Sequence, residues 1–344
     1  MISRIGSNCI SCCSRIPAAY EQRRARGQVA DRRGGPARPF LKWAGGKGKL
    51  IEQFEPRFPP ELKEGGIRTF VEPFVGAGAV FFHVAREYPI EKAYLSDINE
   101  ELVLTYKVIK KHVGELIDAL ESISVPYRDA AQEKRERLYY KVREQFNHAK
   151  ASIDYGGRIT DASIERAAQV IFLNKTCFNG LFRTNSSGGF NVPFGRYKRP
   201  GIFSPENLKQ VSQLLRKARA DIVRADFEEC AAKVDGNTFV YFDPPYRPLS
   251  TTSNFTSYSR GGFDDSEQQR LARFFARLAG ETGAKLMLSN SDPANVNPRD
   301  RFFHNLYKGF TIDRVYAARS INSNAQRRGG ITELVITNYP LKAQ

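Results

Sequence analysis

The sequence contains few of the residues that build disulfide frameworks and metal centres. Its 344 residues include only five cysteines and four histidines. Cys9, Cys12 and Cys13 lie close together, whereas Cys177 and Cys230 are distant, and no His-x-His pair or second Cys-x-x-Cys pair completes a zinc set. We therefore predict no metal, and a reducing, cytoplasmic compartment.

Long apolar runs are also missing. No stretch approaches the ~18 consecutive apolar residues that a membrane-spanning helix needs, so no membrane contact is predicted. The residues between Ile10 and Ile16 are interrupted by Ser, Cys and Arg, which argues against a secretory signal.

Acidic residues are scarce relative to basic ones. The chain has 37 Asp and Glu against 53 Lys and Arg, a formal net charge of +16. Residues 1–38 hold eight Arg against Glu21 and Asp31, and this surplus of six leaves ten positive charges on residues 39–344. We predict a basic, disordered tail over 1–38 and a polyanionic partner such as nucleic acid.

After the tail, short apolar runs alternate with helical patterns. This alternation predicts an α/β fold with a mostly parallel, Rossmann-like sheet that binds ligands at the carboxyl ends of its strands. The predicted strands are Thr69–Val71, Ala93–Ser96, Asp221–Arg224, Thr238–Phe242, Lys285–Ser289 and Glu333–Thr337.

Apolar spacing and capping residues predict the helices between these strands. One apolar helical face runs from Leu102 to Leu120, and another runs from Leu271 to Leu278. Ser204 followed by Pro205 is typical of an N-cap and first helical residue.

The alternation stops between residues 125 and 205, where helical patterns lead into a loop-rich stretch. Residues 174–204 contain no acid, five Gly and six aromatic residues. This composition suits a surface that contacts phosphates and stacks on bases, so we predict an inserted, mainly helical second domain. Its basic residues in the loop-rich stretch are Lys175, Arg183, Arg196, Lys198 and Arg199.

A glycine turn follows the first predicted strand. Gly76 and Gly78 allow a sharp turn and close approach to a ligand, but Phe81 replaces the third glycine of the dinucleotide fingerprint. About twenty residues later, Asp97 ends the next strand. Its carboxylate either accepts hydrogen bonds from ribose hydroxyls or caps the following helix.

The strongest local signal is the run from Asp243 to Tyr246, which reads Asp-Pro-Pro-Tyr directly after an apolar strand. The prolines stiffen the backbone and remove two amide donors. The Asp243 carboxylate and the Pro244 carbonyl are then two neighbouring acceptors, which match one exocyclic amino group. Tyr246 can stack on the base that carries this group.

Five segments, in this order, resemble the DNA adenine methylase family of S-adenosylmethionine-dependent methyltransferases. They are residues 39–50, 71–78, 97, 174–197 and 240–246, and the similarity extends over about residues 39–340. The resemblance implies a catalytic domain over 39–124 and 206–344, with a target-recognition insertion over 125–205.

The resemblance also implies roles for individual residues. Asp243, Pro244, Pro245 and Tyr246 form the catalytic motif. Lys47 lies near the methionine carboxylate of the cofactor, Asp97 binds its ribose hydroxyls, and Asp226 with Phe227 lies beside its adenine. The full cofactor set is Trp43, Lys47, Glu72, Pro73, Phe74, Gly76, Gly78, Asp97, Ile98, Asp226, Phe227 and Asp243.

A third set is implied to contact DNA. Arg183, and Lys42 with it, would contact guanines of GATC, with Leu181 and Pro193 against thymine. Phe178, where the family often has Tyr, would wedge into the duplex next to Asn179. The loop from Arg319 to Arg328 is predicted to bind phosphates.

The resemblance therefore implies a monomeric enzyme, acting near the nucleoid, that methylates the amino group of adenine in duplex DNA, within GATC. The target base would be flipped into the Asp243–Tyr246 motif, and no cysteine nucleophile is required. An RNA base methyltransferase and a catalytically silent DNA-binding homologue are the alternatives. A restriction-modification role and a stand-alone role both stay open.

Overall fold

Seven strands form the centre of the fold. The computed structural model describes residues 35–247, 263–317 and 331–341. The strands are β1 (Thr69–Glu72), β2 (Lys92–Asp97), β3 (Asp221–Arg224), β4 (Thr238–Phe242), β5 (Lys285–Ser291), β6 (Thr311–Ala317) and β7 (Ile331–Thr337).

The strands form one sheet in the order β3-β2-β1-β4-β5-β7-β6. The first five run parallel, and β7 is antiparallel to both β5 and β6. The predicted α/β fold with a mostly parallel sheet is confirmed. Strands β2 and β3 lie on one side of β1, and β4 with the later strands lies on the other side. The carboxyl ends of β1 and β4 therefore flank a topological switch point, where such sheets bind ligands.

All six predicted strands are present, and the seventh, β6, was missed. Its sequence places Asp313 and Arg314 in mid-strand, and most of its residues are only half-buried because it lies at the sheet edge. The Gln53 side chain covers part of this edge. Its Nε2 donates to the Tyr316 carbonyl and its Oε1 accepts from the Tyr316 amide, both at 2.8 Å.

Ten α-helices surround the sheet in the described part of the chain. They are α1 (Ile51–Phe54), α2 (Pro60–Glu64), α3 (Ala79–Glu87), α4 (Glu100–Lys111), α5 (Val113–Arg128), α6 (Gln132–Ala149), α7 (Asp161–Thr176), α8 (Pro205–Lys217), α9 (Asp265–Glu281) and α10 (Phe302–Leu306).

The helix boundaries confirm one prediction and correct another. Ser204 caps α8, and its side chain accepts from the Asn207 amide at 3.2 Å. The apolar face from Leu102 to Leu120 is divided between two helices, so its interpretation as one face was wrong. His112 adopts φ −133° and ψ 44°, outside the helical region, and this residue ends α4.

Both faces of the sheet are buried, as expected for parallel strands covered by helices. Phe70 and Val71 of β1 belong to different core clusters because alternate side chains of a strand point to opposite faces. The Val71 face packs against α9 through Leu271 and Leu278. The Phe70 face packs against α3 and α4, and its cluster continues into α7 and residues 177–194.

Residues 1–34 of the predicted tail lie outside the described residues, but Pro36–Arg38 are part of the folded structure. Ala37 is buried in the core. The Arg38 amide donates to Asn207 Oδ1 at 2.9 Å, and Asn207 Nδ2 donates to the Arg38 carbonyl at 3.0 Å.

A buried ion pair joins the sheet-covering helices to residues 125–205. Arg166 of α7 binds Glu101 of α4, with Nε 2.9 Å from Oε2, and both side chains are almost fully buried. The Arg166 guanidinium also donates to the Phe146 carbonyl and covers the Phe146 ring. Tyr155 donates to Glu101 at 2.7 Å. Helices α4, α6 and α7 therefore share one polar contact inside the core.

We expect Arg166→Ala to destabilise the fold by about 3–5 kcal/mol, because it leaves the Glu101 carboxylate buried without its cation. Urea unfolding at neutral pH measures this loss. Arg68→Ala is the control, since Arg68 pairs with Glu91 at 3.5 Å on the surface, and it should cost no more than about 1 kcal/mol. Equal losses in the two variants would contradict the structural importance of the buried pair.

Candidate functional site

The buried ammonium of Lys47 marks the switch point. Lys47 begins a short 3-10 turn, Lys47–Lys49, and its side chain is 3% exposed. Its Nζ lies 2.8 Å from Asp243 Oδ1 and donates to the Gly45 carbonyl at 2.6 Å. Burial of this cation is compensated by the carboxylate that ends β4. Lys47, which the sequence predicts to bind the cofactor, is therefore in direct contact with Asp243, which the sequence predicts to be catalytic.

Asp243 has further hydrogen-bonding partners in the sheet. Ser289 of β5 donates to Asp243 Oδ1 at 3.1 Å, and the Tyr241 hydroxyl lies 2.8 Å from the Ser289 hydroxyl. Burial raises the pKa of Asp243, and the Lys47 ammonium opposes this rise. The carboxylate is thus held in a fixed orientation by neighbouring strands.

The two prolines after Asp243 are held from α9. The carbonyl of Pro245 accepts a 3.0 Å hydrogen bond from Gln268 Nε2, and Gln268 Oε1 accepts from Asn290 Nδ2 at 3.0 Å. Gln268 and Asn290 are fully buried. Pro244 is buried between Asp243 and Pro245, and this anchoring keeps the short proline segment in one position.

Tyr246 and Glu333 complete what we call the Asp243 pocket, defined by Lys47, Asp243, Tyr246, Ser289 and Glu333. Lys47 Nζ lies 4.5 Å from the centre of the Tyr246 ring, and the Tyr246 hydroxyl donates to Glu333 Oε2. Glu333 Oε2 is 4.0 Å from Lys47 Nζ. Burial raises the pKa of Glu333, against the effect of Lys47. Sequence reasoning treated Glu333 only as a strand residue and missed it.

The glycine turn after β1 lies beside this pocket. Gly76 has φ 46° and Gly78 has φ 68°, values that favour glycine. A Cβ on Gly76 would lie 2.8 Å from Trp43 Cδ1, and one on Gly78 would lie 2.6 Å from the Tyr106 hydroxyl. The turn is therefore packed directly against Trp43, which places this predicted cofactor residue beside the glycines.

Asp97 ends β2 next to the same turn. Its Oδ2 accepts from the Gly76 amide at 3.2 Å and its Oδ1 accepts from the Asn99 amide at 2.9 Å. Asn99, and not Asp97, is the N-cap of α4, so the capping interpretation of Asp97 was wrong. Burial raises the pKa of Asp97 to about 6. Ile98 beside it is 55% exposed, an accessible apolar side chain at the strand end.

Glu72, Pro73 and Phe74 connect β1 to the glycine turn. Glu72 is buried, and its Oε2 accepts from the Phe81 amide at 3.1 Å. Burial, with a smaller contribution from the Asp243 charge, raises the pKa of Glu72 well above its usual range. The Phe74 ring lies 5.5 Å from the Phe227 ring, which brings the two predicted cofactor residues together.

Asp226 has a strong partner of its own. Arg270 Nη1 and Nη2 donate to Asp226 Oδ1 and Oδ2 at 2.9 and 2.8 Å, and this hydrogen-bonded pairing lowers the pKa of Asp226. Asp226 also caps the turn that begins at Phe227, and Arg270 lies over the Phe227 ring at 4.0 Å. The Asp226 carboxylate is therefore oriented by α9.

All the predicted DNA-contacting residues except Lys42 lie on a hairpin, residues 177–194. This hairpin is anchored to the segment that contains Lys42. Asn174, at the end of α7, accepts from the Lys42 amide and donates to the Lys42 carbonyl, both at 2.8 Å. It also donates to the Gly180 carbonyl at 2.9 Å. Lys42 Nζ lies 4.2 Å from the Tyr197 ring centre. Sequence analysis gave Asn174 no role, although it joins these segments.

The hairpin presents its predicted contacts at the surface. Bridges between Cys177 and Phe194 and between Thr184 and Phe190 close it. Phe178 is 51% exposed, so its ring is accessible from solvent. The neighbouring predicted contacts are the exposed Asn179, Arg183 and Pro193 and the half-buried Leu181. Arg183 Nε donates to Asn191 Oδ1 at 2.9 Å, so the guanidinium is oriented by a neighbour on the hairpin.

Two further observations concern the described residues only. They contain no group of three or more His, Cys, Asp or Glu side chains that could hold a metal ion, and no helix among them is long and apolar enough to cross a membrane. The predicted phosphate-binding loop from Arg319 to Arg328 lies outside the described residues.

The fold and the site define an α/β enzyme whose buried carboxylate and glycine turn meet at a switch point. A family model for D12 class N6 adenine-specific DNA methyltransferases matches residues 43–321. The chain belongs to this family, and it is an adenine-specific DNA methyltransferase.

Several curated proteins resemble the chain along most of its length. The Type II methyltransferase M.MjaIII of Methanocaldococcus jannaschii is 50% identical, over 88% of this chain and 99% of that protein. The Type II methyltransferase M1.LlaDCHI of Lactococcus lactis subsp. cremoris is 37% identical, over 88% and 95%. A DNA adenine methylase of Vibrio cholerae serotype O1 is 36% identical, over 88% and 96%.

The raised pKa of Asp97 predicts a pH-dependent stability. Because burial raises it to about 6, the folded state binds this proton more tightly than the unfolded state does. Asp97 therefore costs stability above pH 6, and the cost disappears as the pH falls towards 4. We expect wild type to gain up to about 3 kcal/mol relative to Asp97→Asn between pH 7 and pH 4, measured by urea unfolding. Parallel stability curves would contradict this.

Proposed function

We propose that the enzyme transfers a methyl group from S-adenosylmethionine to the exocyclic amino nitrogen of adenine in duplex DNA, within GATC. The observation that carries this proposal is the position of Asp243, directly after the buried strand β4 and before two prolines and Tyr246. Sheets of this type bind ligands at this point, beside the glycine turn that follows β1.

The residues around the glycine turn fit the cofactor. Asp97 is half-buried at the end of β2, and its carboxylate accepts from two amides. Burial raises its pKa, so hydroxyl donors from a ribose would stabilise its charged form. Trp43 packs on Gly76, and Ile98 offers apolar surface to an adenine ring. Asp226 and Phe227 would contact that ring from the other side. When bound, S-adenosylmethionine supplies an electrophilic methyl group on a sulfonium.

The Asp243 pocket would bind and orient the target amine. An amino group on an aromatic ring is a poor nucleophile because its lone pair is delocalised. The Asp243 carboxylate and the Pro244 carbonyl would each accept a hydrogen bond from the amino group. These two hydrogen bonds would return electron density to the nitrogen. Lys47, 2.8 Å from Asp243, opposes the rise that burial causes in the pKa of this carboxylate, and we propose that it also binds the methionine carboxylate of the cofactor. Tyr246 would stack on the base.

A base can reach this pocket only if it leaves the helix, so we propose that adenine is flipped out of the duplex. The exposed Phe178 ring would occupy the space between base pairs, as apolar wedges do. The hairpin would then lie in the major groove, with Asn179 beside the wedge. Lys42 and Arg183 are cations on this surface that could each contact a guanine, and Leu181 and Pro193 could contact thymine methyl groups.

Methylation in GATC is tested most directly in expressing cells. Their DNA should resist endonucleases that methylated GATC blocks, and should be cut by those that require the methylated site. Because the substrate is chromosomal DNA, we place this activity in the cytoplasm, at the nucleoid. DNA that stays fully sensitive, from cells that contain the folded protein, would contradict GATC as the target.

Removal of the Asp243 carboxylate should stop catalysis. We expect Asp243→Ala to lower the rate at least about 100-fold, since the variant loses one of the two acceptors for the amine. Transfer of radiolabel from the methyl donor to duplex DNA measures this rate. Asp221→Ala, an exposed aspartate at the start of β3, is the control and should retain activity. Normal turnover by Asp243→Ala would refute the pocket assignment.

Arg183 should determine specificity at one guanine. We expect Arg183→Ala to lose about 1–3 kcal/mol of discrimination between GATC and a site with that guanine replaced. The ratio of kcat/KM on the two duplexes measures this. Arg199→Ala, an exposed arginine of the same stretch, should weaken binding to all duplexes without changing the ratio. An unchanged preference in Arg183→Ala would exclude it from sequence recognition.

A further inference from the structure

Glu333 is the second carboxylate of the Asp243 pocket, and neither the catalytic motif nor the cofactor set includes it. It lies on β7, opposite Ser291 of β5, at the carboxyl end of that strand. Its side chain is only 16% exposed. Its Oε2 accepts a hydrogen bond from the Tyr246 hydroxyl and lies 4.0 Å from Lys47 Nζ. Glu333 therefore contacts both Tyr246 and Lys47, which flank Asp243 in the pocket.

The contact with Tyr246 fixes the ring at its far end. A tyrosine ring turns about two side-chain torsions, and Tyr246 follows two prolines that fix only the backbone before it. A hydrogen bond from the phenol to an anchored carboxylate restricts both torsions. Hydrogen bonds to charged groups are stronger than those between neutral groups, so this tether is well suited to hold a ring in one plane.

A stability role alone does not explain a carboxylate at this position. Glu333 is half-buried and lies near the Asp243 charge. Burial raises its pKa, and the Asp243 charge adds a smaller rise, so the charged form is costly here. Lys47 compensates only in part, because its ammonium is 4.0 Å from Glu333 but 2.8 Å from Asp243. An apolar residue would avoid this cost but would leave the Tyr246 hydroxyl without its acceptor.

We propose that Glu333 is a positioning residue, which holds the Tyr246 ring as the surface on which the flipped adenine stacks. This inference rests on the proposed function. Glu333 acts through Tyr246 and does not itself touch the target amine. Its loss should therefore impair the step after cofactor binding and leave the cofactor site intact.

Three variants test the tether. Glu333→Ala should lower kcat about tenfold or more, with the affinity for S-adenosylmethionine within about twofold of wild type by calorimetry. Glu333→Gln should restore kcat to within about threefold, because its amide oxygen can still accept the phenolic hydrogen. Tyr246→Phe keeps the ring and loses the tether, so combining it with Glu333→Ala should add little further loss.

The position of the base is measured with 2-aminopurine in place of the target adenine. The fluorescence of 2-aminopurine rises when it leaves the base stack, and stacking of the flipped base on the Tyr246 ring should change the intensity of that fluorescence. Glu333→Ala should change this signal and Glu333→Gln should retain it. Tyr88→Phe is the matched control. Tyr88 also donates to a glutamate, Glu55 at 3.4 Å, but it lies just before β2, at the amino end of that strand, and should not affect either readout.

The outcomes separate this inference from the proposed function. Wild-type methylation that is lost in Asp243→Ala supports the function, whatever Glu333 does. If Glu333→Ala then turns over normally, or if its loss and that of Tyr246→Phe multiply in the double variant, the positioning role is refuted. A loss of cofactor affinity, or a failure of Glu333→Gln to restore kcat, also refutes it. Wild-type protein that methylates no duplex refutes the proposed function instead.

Discussion

The contact between Lys47 and Asp243 governs the organisation of the candidate site. A carboxylate at the end of a fully buried strand is unstable as an anion unless a cation reaches it. Lys47 supplies that cation from a turn that precedes β1, at 2.8 Å. The segment from Trp43 to Lys47 must therefore fold back over the carboxyl ends of the strands, and this brings Trp43 against Gly76. One ion pair thus brings two distant parts of the sequence into a single pocket.

The sequence predicted the sheet well because its strands carry clear local signals. The fully buried strand β4 is a continuous apolar run, and Asp243 follows it directly. Strand β6 gave no such signal, since Asp313 and Arg314 interrupt its pattern at a half-buried edge. The break between α4 and α5 was also missed, because the apolar spacing continues across His112 while the backbone there leaves the helical region.

The sequence prediction of the candidate site includes residues that form short motifs and omits residues that reach the same place by tertiary contact. The run from Asp243 to Tyr246 is visible in four letters. Glu333, Ser289 and Gln268 reach the same place from β7, β5 and α9, and no sequence spacing connects them to Asp243. Strand pairing and helix packing decide such contacts, and these are set by the whole fold.

The same packing ties the Trp43–Lys47 segment of the candidate site to the hairpin. Asn174 is buried and bonds both the amide and the carbonyl of Lys42, one residue before Trp43. It also holds the Gly180 carbonyl, two residues after the exposed Phe178 ring. On the other side, Trp43 stacks on Phe182 of the hairpin at 5.9 Å. Because buried polar groups tolerate little loss of their partners, the Lys42 segment and the hairpin cannot shift independently. The exposed Phe178 ring and Trp43 are thus held at fixed positions relative to each other by Asn174 and Phe182.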